Sequence, residues 1–230
     1  MHDIKNHALN SFIVRKGAQA IVVEQEMAEI YPPDAEGLSE LLPETDCGSC
    51  GFKSCIEFAE ALIEGRASPS SCPDLDSECA GILGNILKIN KDPIPYNIMM
   101  EQEPCTLIEI NNPNNSSPLL VTSNFRETVR IMREIFESTG MSIFLLPTFT
   151  HGYSVDNAIH ERMFKATEVW KAIKENAVEG KVGRTVMVIP GLAEKERNAI
   201  RQLTGWEVLV GPVSGFLAPL FILNNREAFS

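Results

Sequence analysis

The stretch PLLVTSNFRETVRIMREIFESTGMSIFLLP, residues 118–147, holds two short apolar runs on either side of a charged, amphipathic segment. The runs PLLVTSN and MSIFLLP have the length and composition of buried strands. Between them, apolar residues recur with helical spacing at Phe125, Val129, Met132 and Phe136. Gly140 then supplies a C-cap signal. A strand–helix–strand order with short connections predicts a parallel α/β unit.

The same alternation continues to the end of the sequence. The loop TFTHGYS leads to a predicted long helix, and RTVMVIPG, AEKERNAIRQLTG and WEVLVGP read as strand, helix and strand. The apolar face of that long helix carries Ile159, Met163, Ala166, Val169 and Ile173. The tail SGFLAPLFILNN is predicted to be a helix followed by a strand. The predicted fold class is therefore α/β, with a doubly wound sheet over residues 118–230.

Upstream of this domain the sequence divides into three parts. Residues 1–43 form an N-terminal arm without an assigned function, and residues 44–80 form a small cysteine module. Residues 81–117 are a connector with one strand-like run, CTLIEI, which we interpret as a strand that completes the following sheet.

Composition excludes several functions. A net charge of −11 argues against a nucleic-acid partner, because the chain could not neutralise a run of phosphates. No apolar segment approaches the roughly 18 residues of a membrane span, and the start MHDIKNHALNSF lacks the layout of a signal peptide. Six cysteines without an export signal indicate a reducing compartment, so a cytoplasmic location and no membrane partner are predicted.

Four cysteines have the spacing Cys47-x2-Cys50-x4-Cys55-x16-Cys72, and a proline directly follows Cys72. Three thiols on one tight loop and a fourth that returns from afar suit a cubane [4Fe-4S] cluster, in which each iron takes one thiolate. The two glycines between the first three cysteines allow the backbone to wrap closely around such a cluster. The four cysteines are therefore the candidate metal ligands.

Two other thiol chemistries are less favoured. Structural zinc usually shows two paired C-x-x-C knuckles, and the second pair is missing here. Disulfides are disfavoured by the expected compartment. Cys79 and Cys105 are predicted to be structural thiols.

A ligand site of the α/β domain is expected after the strands. In open α/β sheets ligands bind at the carboxyl ends of strands, which here are followed by TSNF, PTFTHGYS, PGL and GPVSG. Small residues recur in these segments and would let a flat ligand approach the backbone, although each alone can also be a simple turn. Neither G-x-G-x-x-G nor G-x-x-x-x-G-K-[ST] is present where a nucleotide site would need it.

The module LLPETDCGSCGFKSCIEFAEALIEGRASPSSCP resembles the [4Fe-4S] module of the large (gamma) subunit of the corrinoid iron–sulfur protein of the CO dehydrogenase/acetyl-CoA synthase pathway. The same module also occurs in Rnf-type electron-transport complexes. SPLLVTSNF, RTVMVIPG and GWEVLVGP resemble, in the same order, the C-terminal corrinoid-binding domain of that large subunit. Residues 81–117 stand where that subunit carries a TIM barrel.

The resemblance implies a Rossmann-like domain that holds a base-off cobalamin. It implies that the corrin and its tail are lined by Thr122, Ser123, Asn124, Phe125, Gly191, Gly211 and Pro212. The D-x-H-x-x-G signature of histidine-ligated cobalamin is absent from the sequence. His151 and Gly152 are added as candidate cofactor contacts, because their loop follows a strand.

The implied function is that of a methyl carrier, a component of a methyltransferase system and not a complete enzyme. The cluster would reductively activate the cobalamin. The implied partners are a methyltransferase together with a reductive activator or a second subunit that covers the corrin, and a homodimer is the other way to cover it. The alternative is an iron–sulfur electron-transfer protein whose α/β domain is a docking module without corrinoid.

Overall fold

A computed structural model describes residues 9–16, 19–28, 31–43, 45–91, 94–95 and 101–229. Its main sheet has five strands in the order β4-β6-β5-β7-β8. These strands are β4 Ile108–Ile110, β5 Leu119–Ser123, β6 Ile143–Thr148, β7 Val186–Ile189 and β8 Glu207–Val210. β5 to β8 are parallel, and β4 pairs antiparallel with β6 at the edge of the sheet.

Helices cover both faces of this sheet. The α-helices in the described ranges are α1 Ala35–Ser39, α2 Cys55–Ile63, α3 Ser77–Ile86, α4 Arg126–Thr139, α5 Val155–His160, α6 Ala166–Glu175, α7 Arg197–Thr204, α8 Ala218–Asn224 and α9 Arg226–Phe229. Strand residues alternate between two apolar clusters, because successive side chains of a strand point to opposite faces. Leu120 belongs to the cluster with α4 and α8, and its neighbour Leu119 belongs to the cluster with α6 and α7.

The strand order reverses next to β5. The chain passes from β5 to β6 on one side, and then crosses to β7 on the other side of β5. At such a reversal the flanking connections diverge and leave a crevice outside the carboxyl ends of the strands. The doubly wound α/β class is confirmed, and the reversal places the expected crevice beside the end of β5.

Two secondary-structure predictions are wrong. The predicted long helix is two helices, α5 and α6, because Arg162 takes a left-handed φ of 56° and the amides of Met163 and Phe164 both donate to the carbonyl of Ala158. The predicted strand in the tail is instead helical, and Pro219 lies in the first turn of α8, where its missing N–H costs nothing. The strand expected in the connector is confirmed as β4.

The cysteine module packs on the α/β domain through a shared apolar cluster. Phe58 of α2 and Leu83 of α3 belong to the same cluster as Ile135 of α4 and Leu220 of α8. Polar contacts cross the same boundary, since the side-chain amide of Asn85 donates to the carbonyl of Ser138 at 3.0 Å. α3 also runs across residue 80, where the sequence suggested a domain boundary.

A second, antiparallel sheet is formed by strands that lie on both sides of the module in the sequence. It has the order β1-β2-β3, with β1 Leu9–Lys16, β2 Gln19–Ala28 and β3 Ile94–Pro95. β3 pairs with the carboxyl end of β2. Within the ranges given above, no helix is both long enough and apolar enough to span a bilayer.

Candidate functional site

The first candidate centre is the loop that carries Cys47, Cys50 and Cys55. Its two glycines have positive φ, 71° at Gly48 and 89° at Gly51, and the amide of Gly51 donates to the carbonyl of Gly48 at 3.0 Å. Any other residue would be strained in this left-handed conformation. The positive φ values therefore explain why both turns between the first three cysteines use glycine.

Side-chain hydrogen bonds connect this loop to the start of α2 and to the segment that follows Cys72. The carboxylate of Asp46 accepts the amide of Cys55 at 2.6 Å, at the start of α2. The Cys47 thiol donates to Asp74 at 3.3 Å, which lies just after Cys72. The hydroxyl of Thr45 donates to the same carboxylate oxygen at 3.2 Å. The loop and the segment of the fourth cysteine are thus neighbours, as the spacing predicted.

The six thiols differ in their environments. Hydrogen bonds from Ser49 lower the pKa of the exposed Cys47 thiol. Burial raises the pKa of Cys79 to about 11, and burial also raises that of Cys105. Because metals bind the thiolate, the last two cysteines are disfavoured as ligands, in agreement with their predicted structural role.

The structure does not by itself assemble a metal site. Among the described residues, no group of three or more Cys, His, Asp or Glu side chains is arranged to hold an ion. The donor set nevertheless fits an iron–sulfur cluster, because three thiols lie on one glycine-bearing loop that is tied to the turn of the fourth. The ligand set Cys47, Cys50, Cys55 and Cys72 stays a prediction.

The second candidate centre is a cleft at the strand-order reversal, which we call the switch-point cleft. It encloses about 110 Å³ at the carboxyl ends of β5, β7 and β8. Its lining includes four residues that the sequence suggested, Thr122, Phe125, Gly211 and Pro212. Lining residues that the sequence analysis missed include Tyr31, Glu127, Met132, Asp156 and Phe216. The helical spacing of Met132 marked it as core, and nothing in the sequence pointed to Tyr31.

Glycines hold the loops after β7 and β8 together at the mouth of this cleft. The amide of Gly191 donates to the carbonyl of Pro212 at 3.1 Å, and the amide of Gly211 donates to the carbonyl of Ile189 at 2.9 Å. A methyl group on Gly191 would lie 2.7 Å from the nitrogen of Val213. Gly191 is therefore required for close packing of the cleft wall, although it is not itself one of the lining residues.

The remaining predicted residues lie beside the cleft but do not line it. Ser123 is fully buried, and Gly152 is buried in the loop after β6. His151 is exposed and its ring packs on Phe149, with the ring centroids 4.4 Å apart. Their predicted contacts with a cofactor stay predictions.

Asn124 joins the end of β5 to the loop after β6. Its buried side-chain oxygen accepts from the amide of Thr150 at 3.0 Å, the hydroxyl of Thr150 at 2.9 Å and the amide of Gly152 at 3.1 Å. Its side-chain nitrogen faces the carbonyl of Glu103 at 3.4 Å. The side-chain amide of Asn124 therefore forms hydrogen bonds that position these loops, and it does not line the cleft.

We expect Asn124→Ala to lower the free energy of unfolding by about 2 kcal/mol, because it leaves buried amides without an acceptor. Urea unfolding followed by circular dichroism measures this change. Asn115→Ala, at an exposed asparagine, is the matched control and should change the same quantity by less than about 0.5 kcal/mol. Equal stabilities of the two variants would contradict the proposed role of Asn124.

Three buried hydroxyls near the carboxyl edge of the sheet have no hydrogen-bond partner among the described residues. They belong to Ser123, Thr148 and Ser214. Ser214 lies between Val213 and Gly215, which both line the cleft. Because a buried hydroxyl without a partner is costly, these groups mark this edge as a place where a polar ligand group would gain hydrogen bonds.

Fold and site together define a doubly wound α/β protein with a switch-point cleft, joined through one core to a four-cysteine module. The profile of the CO dehydrogenase/acetyl-CoA synthase delta subunit family matches residues 95–216, just over half of the chain. The chain therefore belongs to this family. A second profile, described as an Fe-S cluster, matches residues 42–73 and includes all four predicted ligands.

Curated relatives agree with both matches. The chain is 38% identical over 104 residues to the acetyl-CoA decarbonylase/synthase complex subunit gamma of Archaeoglobus fulgidus, which is 45% of this chain and 22% of that protein. It is 37% identical over 114 residues to the corrinoid/iron-sulfur protein large subunit of Moorella thermoacetica, covering 49% of this chain and 26% of that protein. The resemblance to the gamma, or large, subunit is confirmed.

A third relative has a different name. The chain is 37% identical over 62 residues to one subunit of the ion-translocating oxidoreductase complex of Thiobacillus denitrificans, which is 27% of this chain and 33% of that protein.

The aligned part of the chain spans only about a quarter of the length of the two relatives above. Residues 74–94 alone separate the two matched profiles, far too few for a TIM barrel of about 200 residues or more.

Proposed function

We propose that this chain is a corrinoid iron–sulfur protein that carries methyl groups, with a base-off cobalamin at the switch-point cleft and a [4Fe-4S] cluster in the cysteine module. The observation that carries the proposal is the presence of an iron–sulfur match and a CO dehydrogenase/acetyl-CoA synthase delta match in one chain whose two parts share an apolar cluster. A shared core keeps the distance between two centres constant, which suits electron transfer between them.

In this proposal Cys47, Cys50, Cys55 and Cys72 hold the cluster. Clusters of this type reach potentials as low as roughly −700 mV, so they can restore an oxidised cobalt centre. The three loop cysteines are half-buried or exposed, while Cys72 lies in the core beside α2 and α3. The module therefore offers one side to an external electron donor and the other to the α/β domain.

The cleft would take one part of the corrinoid. An enclosed volume of about 110 Å³ is below the roughly 300–1,000 Å³ of typical small-molecule pockets. A ligand as large as a corrinoid could therefore insert only an edge or its tail, and the rest of it would remain outside the cleft. The apolar residues Ile131, Met132 and Phe216 suit the hydrocarbon of such a ligand, and Thr122, Thr128 and Ser154 can bind its amides.

When bound and reduced, cobalamin supplies the nucleophile that accepts a methyl group. The chain's own residues contribute orientation and access. The loops joined through Gly191 and Gly211 set the shape of the cleft mouth, and Asn124 holds the loops on its other side. Both the methyl donor and the acceptor must reach the cobalt from outside, so we propose a separate methyltransferase as partner, with a reductive activator, a second subunit or a second copy of the chain as further candidates.

A second function is favoured by one observation. The match to a subunit of an ion-translocating oxidoreductase complex shows that a relative of part of this chain occurs in a complex of another name. An iron–sulfur electron-transfer protein, with the α/β domain as a docking module, is the corresponding alternative. It differs from the first proposal in requiring no corrinoid.

Absorption spectra separate these functions. Protein purified without oxygen, reconstituted with iron, sulfide and cobalamin and then desalted, should show base-off corrinoid absorption over a broad iron–sulfur band. A brown protein that retains no cobalamin would reject the methyl carrier and support the electron-transfer protein. A colourless protein with stoichiometric zinc would reject both. Metal and cobalt analysis of the same samples gives the stoichiometry.

A further inference from the structure

One lining residue of the switch-point cleft comes from the N-terminal arm. Tyr31 lines the cleft together with residues of β5, β7 and the loop after β8. It lies outside both profile matches, which cover residues 42–73 and 95–216. The cleft of this chain thus has a wall to which the matched family segments do not contribute.

The backbone at Tyr31 is in an unusual conformation. Its φ is 45°, in the left-handed region, and Pro32 follows it. A residue before proline is already restricted by the proline ring. Such a conformation persists only where the surrounding structure maintains it.

The segment after Tyr31 provides that support. Asp34 caps α1 by accepting the amide of Gly37 at 2.7 Å. Leu38 of α1 is fully buried in the same apolar cluster as Leu217 and as Phe216, which lines the cleft. The arm therefore packs on the α/β domain, although the cysteine module separates the two in sequence.

The three-stranded sheet is close to Tyr31 along the chain. β2 ends at Ala28, so two residues lie between its end and Tyr31, and the two α-carbons are at most roughly 10 Å apart. β3 pairs with that end of β2 through Ile94 and Ala28. Further along the chain, Gln102 forms a β-bridge with Phe125, a lining residue of the cleft.

We propose that Tyr31 forms an outer wall of the switch-point cleft and retains the bound ligand. Tyr31 acts as a specificity-determining residue, because it lines the cleft from a segment that lies outside both matched family regions. This inference rests on the proposed function, since the ligand in question is the corrinoid. It adds that part of the ligand's cover is built into this chain.

The test compares Tyr31→Ala and Tyr31→Phe with the wild type. Trp170→Ala is the matched control, because Trp170 is an exposed aromatic residue of α6 that does not line the cleft. Cobalamin titration of the anaerobically reconstituted proteins is expected to give a dissociation constant about tenfold higher for Tyr31→Ala. Tyr31→Phe and Trp170→Ala should stay within about twofold of the wild type.

A second readout does not need cobalamin. Nile red, a neutral apolar dye, should fluoresce more strongly with cofactor-free Tyr31→Ala than with the wild type, because removal of the ring opens the apolar lining. Equal dye binding by the four proteins would overturn the inference. If the wild type binds cobalamin and Tyr31→Ala binds it equally well, the wall is wrong while the proposed function stands. If the wild type binds no cobalamin, the proposed function is wrong and the dye result alone decides about the wall.

Discussion

Cys55→Ala is expected to abolish the [4Fe-4S] cluster and leave the fold intact. Each iron of a cubane needs its own thiolate, so the loss of one of four ligands leaves an iron without a protein partner. Cys55 is the first residue of α2, where alanine is the best helix former. The Ser54 side chain, which accepts the amide of Glu57 at 3.3 Å, still caps the helix. The substitution therefore removes a thiol without removing local structure.

Iron and sulfide analysis, with electron paramagnetic resonance of the reduced protein, measures this loss. Far-ultraviolet circular dichroism of the same sample checks that the protein remains folded. Cys105→Ala is the matched control, because it removes a thiol whose pKa is raised by burial and should leave the cluster content unchanged. A complete [4Fe-4S] cluster in Cys55→Ala would refute the ligand set.

Gly191→Ala is expected to lower the free energy of unfolding by about 3 kcal/mol, the upper part of the range for overpacked sites. The added methyl carbon would lie 2.7 Å from the nitrogen of Val213 and 2.8 Å from the carbonyl oxygen of Gly211. Both are backbone atoms, so a side-chain rotation cannot relieve the contact. The loops after β7 and β8 must separate, and this displaces Pro212 and Val213, which line the cleft.

Urea unfolding of the cofactor-free protein measures the loss of stability, and cobalamin titration should show binding at least tenfold weaker. The control is Gly84→Ala, within α3, where no atom lies within 4 Å of the added carbon. This variant should be unchanged or more stable by up to about 1 kcal/mol, because alanine favours the helix. Gly191→Ala with the stability and cobalamin affinity of Gly84→Ala would show that the close contact is not required.

The predictable part of the fold rested on local patterns. β5, β6 and β7 could be predicted because each is a short run that is buried along its whole length, and burial on both faces requires such apolar runs. The strand β8 is only partly buried, and its apolar residues Val208–Val210 before a Gly-Pro turn still predicted it. The break between α5 and α6 could not, because the apolar spacing continues through it while Arg162 turns left-handed. The strand in the tail was predicted wrongly for a similar reason, since a short apolar run fits a strand and a buried helix equally well.

The candidate sites divide in the same way. The four cysteines could be proposed as cluster ligands from their spacing, because the thiol chemistry of a cluster limits which residues can serve. Thr122, Phe125, Gly211 and Pro212 could be placed near the cleft, because the carboxyl ends of parallel strands share one edge. Asn124 was placed at the right edge, but its hydrogen bonds to Thr150 depend on contacts that no local pattern encodes.

The sequence by itself determined the α/β class, the four-cysteine module and the edge of the sheet where a ligand site should lie. These features follow from periodicity and residue chemistry, which act over a few neighbouring positions. Only the tertiary structure decided that the module shares a core with the sheet, that Gly191 joins two loops, and that Tyr31 reaches the cleft. These features depend on which distant segments pack together, and packing is decided by the burial of the whole chain.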